Sequence, residues 1–110
     1  MAIQVIFNQA GPLDLTTTFN APGDEPMTLE VNGSVWTAQV NQMVGIRIEL
    51  DGVAIGAAQI FSNEANTHIA VVPAYIPIEL SEGQHTLSLA LNNPATVSDF
   101  NDFYTAVIHF

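Results

Sequence analysis

Along most of this chain apolar and polar residues alternate, which is the period of a strand with one face on a core. The clearest case is His85 to Asn92, where Leu87, Leu89 and Leu91 point one way and Thr86, Ser88 and Asn92 the other. Val44 to Leu50 sets Ile46, Ile48 and Leu50 opposite Arg47 and Glu49. Leu13 to Phe19 gathers Leu13, Leu15, Thr17 and Phe19 on one side, and its threonines favour strand over helix. Ile3 to Phe7, Thr67 to Val72 and Tyr75 to Leu80 are further extended runs. Pro77 cannot donate to a ladder, so the last of these belongs at a sheet edge or a bulge.

Two dipeptides punctuate this pattern as hairpin turns. Asn32-Gly33 separates Met27–Val31 from Ser34–Ala38, and Asp51-Gly52 separates Val44–Leu50 from the run Val53 to Phe61. Both suit a type I′ turn, which needs φ > 0 at its two central residues. Asn8–Pro12, Asn20–Pro26, Asn63–Asn66, Ser81–Gln84 and Asn92–Asn101 read as turns or loops. No window carries a helical period. The pattern predicts an all-β fold, a jelly-roll β-sandwich of about ten short antiparallel strands, forming a single domain over residues 1–110.

The last strand departs from clean alternation. Tyr104, Ala106, Ile108 and Phe110 make one apolar face, and Phe103, Thr105, Val107 and His109 make a mixed one. A strand half covered by water should alternate more sharply. The expectation is that the uniform face enters the core and the mixed face meets a second copy of the chain.

Composition narrows the function. Eleven acids face one base, Arg47, for a net charge of −10, and lysine is absent. Binding to nucleic acid or to an anionic membrane needs Lys and Arg, so neither partner is expected. The chain has no cysteine, which removes disulfides and thiolate chemistry. The N-terminus reads as a strand rather than a signal segment, and a cytoplasmic or virion-associated protein is the expectation.

Candidate chemistry is sparse. His68, His85 and His109 sit singly on separate strands and read as ordinary surface or core side chains. If the last strand lined a threefold axis, three copies of His109 would meet there. Asp99, Asn101 and Asp102 place three oxygen-bearing side chains in four residues, a candidate calcium site, although Asx residues are also ordinary turn chemistry. Trp36, beside the Asn32-Gly33 turn, and Tyr75 are the aromatic residues for a sugar-binding platform. Arg47, two residues before Glu49, is expected in an ion pair or at an interface with Phe103, Thr105, Val107 and His109. No nucleophile–base or acid–base constellation stands out, so no enzymatic activity is expected.

The closing pattern runs Gly83-Gln84-His85-Thr86-Leu87-Ser88-Leu89, then Asp99-Phe100-Asn101-Asp102-Phe103-Tyr104, then Ala106-Val107-Ile108. It resembles the last two strands of the C1q and tumour necrosis factor-like jelly rolls, over the last quarter of the chain. That resemblance implies a self-assembling homotrimer with its C-terminal strand near the subunit interface, serving as a binding or structural module. Glu82 to Leu87 also resembles jelly-roll carbohydrate-binding modules. The alternative it implies is a lectin-like module with a glycan ligand, using Trp36 and assisted by calcium.

Overall fold

The computed structural model describes residues 2–110. Its regular structure among the described residues is nine strands and no helix. They are β1 (Ile3–Ala10), β2 (Leu15–Ala21), β3 (Pro26–Val35), β4 (Gln42–Leu50), β5 (Val53–Ser62), β6 (Ile69–Ala70), β7 (Ala74–Glu79), β8 (Gly83–Leu91) and β9 (Phe103–His109). One sheet runs β1-β9-β3, with β7 and then β6 end to end along the far edge of β3; the other runs β2-β8-β4-β5. Every pairing is antiparallel.

The pairs are nested. β1 meets β9, β2 meets β8, β3 meets β7, and β4 meets β5 at the centre. The chain is therefore one long hairpin rolled into two sheets, which is the jelly roll. The core lies between the sheets, where Leu29, Ile46, Ile48, Leu87, Leu89 and Ile108 are closed off from water.

The innermost turn is the predicted one. Asp51 and Gly52 have φ of 51° and 82°, and Leu50 pairs with Val53. Asp51 also clips the turn onto β8. Its backbone N–H donates to the Thr86 carbonyl (2.8 Å), and its carboxylate accepts from the Thr86 N–H (2.9 Å) and from His85 Nδ1 (2.6 Å). The other ring nitrogen of His85 lies 2.7 Å from the Ser81 carbonyl.

This clip makes stability depend on pH. The Asp51 carboxylate, then the Ser81 carbonyl, hold the His85 pKa above its ordinary 6.5; hydrogen bonds from His85 and Thr86 hold Asp51 below its ordinary 3.8. The His85 contribution is complete below its unfolded pKa and is lost as pH rises through the raised folded value. The Asp51 contribution is present above its unfolded pKa and is lost as pH falls through the lowered folded value. The pair therefore stabilises most between pH 3.8 and 6.5. Thermal melts across the neutral range should show the midpoint falling with rising pH, and less steeply in His85→Gln. An unchanged slope in that variant would show the pair to be inert.

The Asn32-Gly33 turn does not form. β3 continues through it, with Asn32 opposite Thr105, Gly33 opposite Tyr104, and Ser34 opposite Ala70. The two runs expected to pair with each other are thus one strand and its exit, which accounts for nine strands in place of about ten. Gly33 is glycine for another reason. A Cβ there would stand 2.5 Å from Tyr104 Cδ1 and 2.9 Å from the Phe103 carbonyl oxygen.

The Thr67–Val72 run is also shorter than its pattern suggests, with only Ile69–Ala70 in a ladder. Val71 donates to Gly33 in one sheet (2.9 Å) and Val72 to Gln59 in the other (3.2 Å), so the chain is changing sheets there. Pro77 lies on edge strand β7, which pairs with β3 alone. On β9, Tyr104, Ala106 and Ile108 are wholly buried, and Phe103, Thr105, Val107 and His109 line the opposite face. Phe110, expected with the buried face, is 37% exposed; it pairs with Ala2 past the end of the core.

Candidate functional site: a loop-end cleft and a histidine–aspartate cluster

The β8–β9 connection, residues 92–102, is built by its own side chains. Asn93 Oδ1 accepts from the N–H groups of Ala95 and Thr96 (both 3.1 Å) and from the Thr96 hydroxyl (2.9 Å). Asn93 Nδ2 donates to the Met43 carbonyl (2.7 Å), and the Gly45 N–H donates to Thr96 Oγ1 (3.1 Å). These bonds tie the loop to β4. Val97 then exchanges two backbone hydrogen bonds with Trp36, at 2.9 and 2.8 Å, tying it to the end of β3.

Between this loop and the β3–β4 connection lies a cleft of about 500 Å³. Its polar lining is Thr37, Gln39, Gln42 and Asn93; Pro94 and Val97 belong to its apolar part. Among the described residues, no charged side chain lines it.

At the other end of the same loop Asp102 is turned inward and has no exposure. Its Oδ1 accepts from the Ser34 hydroxyl (2.8 Å) and lies 2.7 Å from His68 Nδ1; its Oδ2 accepts from the Asp99 N–H (2.9 Å). The Asp102 carboxylate holds the His68 imidazole above its ordinary pKa range. Asp99 Oδ2 stands 3.8 Å from His68 Nε2, while Asp99 Oδ1 accepts from the Asn101 N–H (2.8 Å).

The structure thus brings Asp99 and Asp102 together around His68, and Asn101 enters this cluster through its backbone N–H. His68 carries no local signal of this cluster, because it lies 34 residues before Asp102 and no local spacing joins a loop before β6 to one before β9.

The aromatic pair does not form a platform. Trp36 lies beyond β3 rather than beside a hairpin tip. Its ring packs on His68 with centroids 6.0 Å apart, and its Nε1 is buried with no partner among the described residues. Tyr75 is exposed on β7 opposite Glu30, six residues earlier on the chain than Trp36 and so roughly 20 Å away along the strand direction.

The expected interface residues also divide. Phe103, Thr105, Val107 and His109 share the outer face of β9, where His109 Nε2 lies 2.7 Å from Glu30 Oε1. Arg47 is exposed on β4 in the other sheet, and its Nε donates to Glu49 at 2.8 Å. It has the expected ion pair, on a surface separate from the β9 face.

No protein-family model matches the chain. No curated protein matches it either. Solved structures do. The C-terminal domain of EclA, a sugar-binding protein, aligns with a TM-score of 0.53 at 17% identity, over 98% of this chain and 77% of that one. The CBM36-1 domain of a multidomain xylanase from the hindgut metagenome of Trinervitermes trinervoides aligns with a TM-score of 0.50 at 10% identity, over 99% and 98%. A chain of infectious bursal disease virus, Gx strain, aligns with a TM-score of 0.51 at 12% identity, over 97% of this chain and 31% of that one. At these identities the likeness is one of fold, and it is to jelly-roll sandwiches that include carbohydrate-binding modules.

Proposed function

We propose that this protein is a non-catalytic binding module whose ligand is a neutral carbohydrate, held in the cleft between the β3–β4 and β8–β9 connections. The observation that carries the reading is the absence of charge from that cleft in a chain of net charge −10. A sugar offers hydroxyls that both donate and accept, and Gln39 and Gln42 have amides that do the same. Pro94 and Val97 supply apolar surface for the C–H faces of a ring. The volume is in the range of small-molecule sites. The sugar-binding character of EclA and the CBM36-1 domain on the same fold supports the reading by analogy.

A glycan array tests it. Hits should weaken about tenfold or more in the double variant Gln39→Ala/Gln42→Ala, the loss expected of one or two hydrogen bonds, and should survive Tyr75→Ala. An empty array, or hits indifferent to the cleft, would overturn it.

One observation favours a second reading, self-association into a homotrimer. The outer face of the β1-β9-β3-β7 sheet exposes Ile3, Val5, Phe103 and Tyr75 together with Val107. A surface of that kind suits contact with another copy. The mass in solution decides between a trimer and a monomer.

A further inference from the structure

We propose that His68 and Asp99 form a binding site for a divalent cation of the zinc class, with Asp102 as the buried carboxylate that holds His68 ready to ligate. The site is separate from the cleft and does not depend on whether the cleft takes a sugar.

A carboxylate with no exposure, as that of Asp102, needs donors on its oxygens, and here they are the Ser34 hydroxyl, the Asp99 N–H and His68 Nδ1. Accepting from Nδ1 places the ring hydrogen on that nitrogen. In the neutral imidazole Nε2 is then a lone pair. Metal-bound histidines have this arrangement, with the remote nitrogen bonded to a carboxylate that fixes tautomer and ring direction.

Nε2 faces Asp99 Oδ2 at 3.8 Å, too far for a hydrogen bond. Zinc bonds of about 2.0–2.2 Å at a tetrahedral angle would separate two such ligand atoms by about 3.3–3.5 Å. A small turn of Asp99 closes the difference. The side chains of His68 and Asp99 are about two-fifths exposed, so an ion can enter and water can fill its other positions. The Trp36 ring packs beside the imidazole and limits its motion.

The other histidines lack this combination. Both ring nitrogens of His85 are engaged, and His109 meets Glu30 through Nε2. The donor set also selects the ion. Calcium prefers six to eight oxygens, whereas one imidazole and one carboxylate suit zinc, cobalt, nickel or copper. The net charge of −10 enriches cations around the protein.

The test is calorimetric titration of chelator-treated protein with zinc chloride above neutral pH, with cobalt(II) as a spectroscopic stand-in. The expected result is saturable one-to-one binding at micromolar zinc and a visible d–d band for bound cobalt. Both should be lost in His68→Ala and weakened about tenfold or more in Asp99→Asn, the change expected when one ligand is removed. His85→Gln and His109→Gln should bind like the parent, and circular dichroism should show all four variants folded. Absence of saturable zinc binding, binding that survives His68→Ala, or calcium binding as tight as zinc would each overturn the proposal.

Discussion

Ile108→Asp should abolish folding, while Val107→Asp, one residue away, should leave a folded chain. Ile108 sits on the central strand of its sheet, between Gln4 and Leu29, with no exposure. An aspartate there loses the burial of a large aliphatic side chain, about 1.5–3 kcal/mol. It also places a carboxylate in the core without a partner, at a cost of several kcal/mol. Arg47, the one fixed cation, points outward from the other sheet and is already paired. The sum rivals the whole stability of a domain, about 5–15 kcal/mol. Val107 lies on the outer face between Val5 and Glu30, so Val107→Asp adds a like charge beside Glu30 at about 0.2–1 kcal/mol. Circular dichroism reads the folding of each variant. Light scattering on the same samples tests the homotrimer, because three new carboxylates near an axis would convert a trimeric parent to a monomer. A monomeric parent would end the self-association reading, and a folded Ile108→Asp would show that this face of β9 is not the core face.

The second large effect separates the two glycines that the sequence presents as equivalent. Gly33→Val should cost about 1–3 kcal/mol or more, since new side-chain atoms would have to displace Tyr104 and the backbone of Phe103 in a filled core. Gly52→Val should also cost about 1–3 kcal/mol, but through backbone strain, because φ there is +82° and nothing stands within 4 Å of an added Cβ. Asparagine distinguishes the causes. It tolerates positive φ, so Gly52→Asn should stay near the parent, whereas Gly33→Asn should be as damaging as valine. Denaturant unfolding measures all four. Gly33→Asn within about 0.5 kcal/mol of the parent would mean that the close contact with Tyr104 is not filled.

How much of this was legible beforehand follows from the range of the interactions involved. Alternation is a property of neighbouring residues. The all-β class, the inward set Leu87 and Leu89, the faces of β9, the edge position of Pro77 and the Asp51-Gly52 turn could therefore be read from short windows. The ion pair of Arg47 with Glu49 belongs with them, since residues two apart on a strand share a face. The uncharged cleft could not be read this way. Its amides come from stretches about fifty residues apart, Gln39 in the β3–β4 connection and Gln42 at the start of β4 on one side and Asn93 on the other.

Asn32-Gly33 marks where local reading ends. The dipeptide has the chemistry of a turn, but β9 and β6 offer ladder partners on either side of it, and Tyr104 needs the space that a side chain would occupy. Propensity of a few tenths to one kcal/mol yields to a continuous ladder and a packed core. The same holds for His68, Asp99 and Asp102. Each is unremarkable in its own window, and only the rolled hairpin places the loop before β6 against the loop before β9. Composition and period determined a charge-poor, acidic β-sandwich and most of its inward faces. The pairing of distant strands decided which glycine turns, which aromatic residues stay apart, and where a histidine meets two carboxylates, because those contacts are set by cooperative packing across the whole chain and have no local signature.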